Sequence, residues 1–193
     1  MDAEQIQVNL TVASAFAEMR VRYFLGGSMA SSAHGVYRAT NDADFVAALL
    51  PSHASRLVGI LGDAFYADEP AIRAAIEQQA SFNLIHLESM LKIYVFVLKS
   101  DAFSKSQILR CTKVPLAEPP APEIFLASPE DTILAKLDWY RQGGETSEQQ
   151  WKDILGVLKV QAERLDQVYL KQWAAELRVT DLLEHALRDA DIG

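Results

Sequence analysis

Apolar residues at Ile6, Leu10, Ala13, Phe16 and Ala17 recur at helical spacing, so residues 4 to 19 should form a helix with one buried stripe. Val21 to Leu25 is a short β-prone run that stops at Gly26-Gly27. The small residues from Ser28 to Ala33 predict a short helix that Ser28 can cap and that His34-Gly35 ends. Asp44 to Leu49 predicts a second strand, and Pro51-Ser52 opens a helix running to about Gly62. Residues 70 to 80 look helical, with Pro70 near the start. Two apolar runs, Phe82 to Leu87 and Leu91 to Leu98, flank Glu88-Ser89-Met90 and read as a hairpin or two neighbouring strands.

Segment 115 to 122 holds four prolines, which exclude helix and leave an extended stretch, the clearest boundary in the chain. It divides a part spanning 1–122 from a mostly helical part spanning 123–193. Ile124-Phe125-Leu126 predicts a short edge strand. Ser128-Pro129-Glu130-Asp131 then starts a helix with a capping hydroxyl, a proline at the first position and carboxylates at the positive end of the dipole. Ile133, Leu134, Leu137 and Tyr140 form its stripe, and Gly143-Gly144 ends it. Thr146 or Ser147 caps the next helix, with Trp151, Ile154, Leu155 and Leu158 as its stripe, and residues 166 to 189 supply one or two more. Trp139, Tyr140 and Trp151 lie beside these stripes and read as packing residues. The order predicts an α+β (mixed α/β) fold with a helical C-terminal third.

Composition narrows the picture. The chain has 193 residues, half of them hydrophobic, and a net charge of -8. Broad binding to a phosphate backbone does not suit that charge. A local basic patch from Arg20, Arg22, Arg38, Lys92, Lys99, Lys105, Arg110 and Lys113 is weighed against the plainer reading of solvated surface charges. Cys111 is the single cysteine, so it forms no intramolecular disulfide, and a lone thiol reads as a small buried hydrophobe. His34, His53, His86 and His185 lack metal-ligand spacing and read as capping, turn or surface residues. The N-terminus lacks the basic and apolar regions of a signal peptide, and Leu91 to Leu98 is too short to span a bilayer. The chain is therefore expected to be cytoplasmic, away from membranes.

Two short motifs carry candidate chemistry. Leu25-Gly26-Gly27-Ser28 sits at a strand end, where glycines let a ligand approach the main chain and the next helix aims its N–H groups at an anion. Asp42 and Asp44 are two apart at the start of a β-prone run, so their carboxylates share a face. That pair repels unless a cation sits between, and Mg2+ takes such carboxylates together with substrate phosphates. Taken singly, the first motif reads as a common turn and the second as a polar start to a strand.

Together, Gly26-Gly27-Ser28, a small-residue helix, Arg38 and Asp42-Ala43-Asp44 resemble the polymerase-beta-type nucleotidyltransferase superfamily. Ser128-Pro129-Glu130-Asp131, Lys136 to Arg141, Gly143-Gly144, Ser147-Glu148 and Trp151 to Ile154 look like a bacterial group of small proteins related to the AbiEii toxins of type IV toxin-antitoxin systems. The match runs over about 22 to 160. The resemblance implies a small mixed sheet flanked by helices. It also implies transfer of a nucleoside monophosphate from a nucleotide triphosphate (NTP) to a hydroxyl of RNA, protein or a small molecule, with an antitoxin as partner. By it, Gly26, Gly27 and Ser28 touch the triphosphate, and Asp42 and Asp44 hold Mg2+. Arg38 supports the acidic strand or a phosphate. Lys136 and Asp153 fall where the toxin-like relatives have a functional lysine and aspartate, and Lys136 reads equally well as a helix-surface lysine paired with carboxylates.

The superfamily has a third carboxylate on a later central strand, which completes the metal site and can take the acceptor proton. Here that strand is Lys92 to Phe96, and Tyr94 stands at the expected position. A phenol, with a reference pKa of about 10, replaces a carboxylate in neither task. Glu88, in the turn, and Glu77, on a helix, are the nearest substitutes. The alternative is therefore a catalytically degenerate member that binds nucleotide or a partner without turnover. Phosphate-loop, dinucleotide-binding, zinc-protease and serine-hydrolase signatures do not occur.

Overall fold

A computed structural model describes residues 3–115 and 122–192. The chain divides into two compact units, one of Met1–Gly26 with Thr40–Leu126 and one of Gly27–Ala39 with Ala127–Gly193. The helical unit thus begins at Ala127 and takes in Gly27–Ala39 as well.

The first unit carries β1 (Tyr23–Leu25), β2 (Ala43–Ala47), β3 (Phe65–Tyr66), β4 (Ser81–His86), β5 (Lys92–Val97), β6 (Thr112–Pro115) and β7 (Glu123–Leu126). They form one mixed sheet in the order β3-β4-β5-β2-β1-β7-β6. β2 runs parallel to β5 and β1 parallel to β7, while the other pairs are antiparallel. The expected hairpin is β4–β5. β2 shows the alternation of a strand with one covered face: Ala43, Phe45 and Ala47 are buried, whereas Asp44 and Val46 are half-buried. The buried face closes on an aromatic cluster, with Phe16 and Tyr23 rings 5.8 and 5.9 Å from Phe45. Fully burying a side chain of this size stabilises by about 1.5–3 kcal/mol, so this face organises the unit.

Among the described residues of this unit the helices are α1 (Ala3–Glu18), α3 (Ala54–Leu61), α4 (Glu69–Glu77) and α5 (Ala102–Arg110). Those of the second unit are α2 (Gly27–His34), α6 (Pro129–Gln142), α7 (Glu148–Gln161), α8 (Gln167–Glu176) and α9 (Thr180–Asp189). Ser128 caps α6 by accepting from Asp131 N, and Ser147 rather than Thr146 caps α7. Ile133, Leu134 and Leu137 are fully buried, as their stripe predicts. α2 ends close against α7: a Cβ on Gly35 would sit 2.7 Å from Val157 N.

Several expectations need correction. β7 is not an edge strand; it lies between β1 and β6, because Thr112–Pro115 pairs outside it. β6 and α5 gave no periodic signal: β6 is largely exposed and α5 buries only Ile108. Helix α3 begins at Ala54, after a 3-10 turn over Pro51–His53. Cys111 is half-exposed rather than buried. Trp139 is 52% exposed, whereas Tyr140 and Trp151 stack, with centroids 5.2 Å apart. Most of the proline-rich segment 115 to 122 lies outside the described residues. No helix among the described residues is long and apolar enough to cross a membrane.

Candidate functional site

In the sheet-bearing unit, β1 ends at Leu25 and Gly26 N–H donates to the Asp44 carbonyl at 2.8 Å. Asp42 is exposed just before β2 and Asp44 half-buried within it, both on the face away from the aromatic cluster. The register places Asp44 beside Tyr94 on β5, and Tyr94 beside Asn83 on β4. Gly26, Asp44, Tyr94 and Asn83 thus form one row across the sheet. Lys92 Nζ sits 4.7 Å from the Tyr94 ring centroid, a cation–π contact. Glu88 lies in the exposed β4–β5 turn and Glu77 at the exposed end of α4, so neither stands on β5.

The metal question turns on this donor set. Among the described residues no three or more His, Cys, Asp or Glu converge. Two carboxylates on one face fit a single hard cation that takes its remaining ligands from substrate phosphate and water, which is how Mg2+ is commonly held. They do not make a self-sufficient protein cage.

Gly26 and Gly27 differ. A Cβ on Gly26 would meet Phe24 at 3.7 Å and the Asp44 carbonyl at 3.8 Å, ordinary contacts, so the fold itself leaves room for a side chain there. Gly27 has a φ of 53°, in the left-handed region that glycine adopts without strain.

In the helical unit Ser28 lies in the first turn of α2, and its hydroxyl accepts from Arg38 Nη2 at 2.6 Å rather than serving as the expected cap. Arg38 also grips Asp153 with two bonds, Nε to Oδ1 at 3.0 Å and Nη2 to Oδ2 at 3.2 Å. Lys136 Nζ donates to Asp153 Oδ2 at 2.9 Å, and Gln149 Nε2 to Oδ1 at 2.8 Å. Lys136 is buried rather than on the helix surface. Burial works to raise the Asp153 pKa, but the Arg38, Lys136 and Gln149 hydrogen bonds and the Lys136 charge outweigh it, holding the carboxyl below the usual range. Two cations share one carboxylate, so the cluster that touches Ser28 carries an excess positive charge. Sequence reasoning named Ser28, Arg38, Lys136 and Asp153 separately. It missed Gln149, whose only signal was its place one turn before Asp153 on α7.

The histidines behave as structural groups. His53 Nδ1 accepts from Leu50 N–H. The His34 ring bonds the Ala127 carbonyl at 2.7 Å, and burial pushes its pKa below the ordinary value despite that bond and the nearby Glu130 charge. Of the basic residues considered for a patch, Arg20, Arg22 and Lys113 line one groove in the first unit.

No family model matches this chain, and no curated protein sequence matches it. Known structures do. The solution structure of the antibiotic-resistance factor ANT(2'')-Ia aligns with a TM-score of 0.55 at 14% identity, over 98% of this chain and 100% of that one. The lincomycin-bound lincosamide antibiotic adenylyltransferase LnuA aligns with a TM-score of 0.53 at 13% identity, over 83% of this chain and 98% of that one. An antigenic nucleotidyltransferase-like protein from Paracoccidioides brasiliensis gives 0.53 at 15% identity, over 97% and 94%. The chain therefore has the nucleotidyltransferase-type fold. At these identities the likeness concerns the fold.

Proposed function

We propose that this chain binds an NTP with Mg2+ and transfers the nucleoside monophosphate to a hydroxyl of an acceptor. The observation that carries the reading is the row in which Gly26, at the end of β1, faces Asp44 on β2. It joins a turn open to a phosphate with a carboxylate whose neighbour two residues back, Asp42, shares its face. The residue roles follow. Asp42 and Asp44 hold the cation, which when bound neutralises triphosphate charge. Gly26, Gly27 and Ser28 receive phosphate oxygens, Gly26 because it leaves open the volume a side chain would fill. Arg38 and Lys136 supply positive charge, and Asp153 fixes both. In the transfer the acceptor oxygen bonds to the α-phosphorus, the α–β bridging P–O bond breaks and pyrophosphate leaves. The acceptor proton passes to solvent, because Tyr94 leaves β5 without a carboxylate to take it.

Tyr94 also favours a second reading, a member that binds NTP, or a partner, without turnover. The similar structures include a lincosamide antibiotic adenylyltransferase with lincomycin bound, which supports a hydroxyl-bearing acceptor. The C-terminal resemblance to AbiEii-related proteins supports a toxin role, an RNA or protein acceptor and an antitoxin partner.

Calorimetric titration of each NTP, with and without Mg2+, tests the reading in the wild type and in Asp42→Asn/Asp44→Asn. Saturable Mg2+-dependent binding that the double variant loses is expected. A folded wild type that binds no NTP would overturn both readings of nucleotide binding. Binding without transfer to any labelled acceptor leaves the second reading standing and removes the first.

A further inference from the structure

A groove of about 420 Å³ opens in the sheet-bearing unit, beside α1 and the β1–β7–β6 end of the sheet. Leu10 and Ala13 of α1 supply an apolar wall. Tyr23 and Phe125 supply an aromatic floor, their rings edge to face with centroids 5.6 Å apart. Arg20, Arg22 and Lys113 are exposed cations on its lining, against one carboxylate, Glu123. In a chain with a net charge of -8 this is a local inversion of sign. Among the described residues none of the three cations is held in an ion pair; Lys113 instead lies 5.4 Å from the Phe125 ring centroid. None of the residues that line it belongs to the candidate nucleotide site. Tyr23 pairs with Ala47, which alternates against Asp44 along β2, so Tyr23 and Asp44 face opposite ways.

We propose that this groove is a second binding site, for a small phosphate monoester with a flat apolar body, separate from the candidate nucleotide site. A volume of this size suits a small molecule. Arginine's planar fork matches phosphate oxygens in pairs, and two arginines with a lysine can hold a dianion. The aromatic floor and the α1 wall give the apolar body a surface to cover, which inorganic phosphate cannot use. The inference does not depend on the proposed transferase activity.

The test uses the full chain and three probes, 1-naphthyl phosphate, 1-naphthol and inorganic phosphate, titrated by calorimetry at low salt. Naphthyl phosphate should bind saturably, and about tenfold or more tighter than either other probe, because only it meets both walls and cations. Arg22→Glu/Lys113→Glu, checked for folding by circular dichroism, should weaken it by about tenfold or more. Arg22→Gln/Lys113→Gln serves in its place if the charge reversal does not fold. Asp42→Asn/Asp44→Asn should leave naphthyl phosphate affinity unchanged. The proposal is overturned if the folded wild type shows no saturable binding, if inorganic phosphate binds as tightly, if the charge variants bind normally, or if the aspartate variant loses the probe.

Discussion

Asp44 and Tyr94 lie directly opposite each other on the parallel strands β2 and β5. The phenol thus occupies the position from which a carboxylate would face the strand proposed to hold the cation. Tyr94→Asp should raise nucleoside monophosphate transfer by about a hundredfold, the lower range for gaining a positioned general base. Incorporation of labelled NMP by the two proteins measures it. Equal rates would mean that the missing carboxylate at this position does not limit transfer.

Gly26 and Gly35 should separate function from folding. Gly26→Ala fits the fold with ordinary contacts, so thermal stability should hardly change while NTP binding falls. Gly35→Ala forces a Cβ to 2.7 Å from the α7 backbone, and should cost about 1–3 kcal/mol in denaturant unfolding. If Gly26→Ala binds NTP normally, that glycine is only a turn residue.

Asp153 should be the most sensitive polar position of the helical unit. Its side chain is 7% exposed and that of Lys136 10%, so Asp153→Asn strands a buried ammonium and should cost about 3 kcal/mol. Lys136→Met leaves Asp153 with Arg38 and Gln149, and should cost less. Urea midpoints for the two variants check the order.

The same carboxylate sets an acid limit. Its folded pKa is depressed, so its stabilisation is complete above the unfolded value of about 3.9 and fades as pH falls through the folded value. Unfolding free energy measured from pH 5 downward should fall less steeply in Asp153→Asn than in the wild type. His34 acts in a higher window. Its folded pKa is lowered, so its contribution is present above about 6.5 and is lost as pH drops below that. His34→Gln should flatten that shallower decline.

What could be read from the chain depended on how far each signal was local. The hairpin β4–β5, the capped helix α6 and the position of Tyr94 were legible because apolar alternation, capping chemistry and strand spacing are written in consecutive residues. Thr112–Pro115 was not, because its residues are mostly exposed and a strand held by edge pairing needs no apolar pattern. The candidate chemistry divided in the same way. Asp42 and Asp44 announce themselves by spacing, whereas Arg38, Lys136, Gln149 and Asp153 meet only once α2, α6 and α7 pack together. Arg20, Arg22 and Lys113 were visible only as scattered positive charges, since the groove that gathers them is built from separate strands.

The chain leaves the sheet-bearing unit after Gly26, returns at Thr40 and leaves again after Leu126. No single cut therefore yields both units whole. A fragment beginning at Ala127 would lack α2 and with it Gly35 and Ser28, while a fragment ending at Leu126 would carry α2 without α7 to receive it. Such a threaded arrangement resists exchange of its helical part by simple end-to-end gene fusion. Replacing the helical part would take three junctions, at Gly26–Gly27, Ala39–Thr40 and Leu126–Ala127.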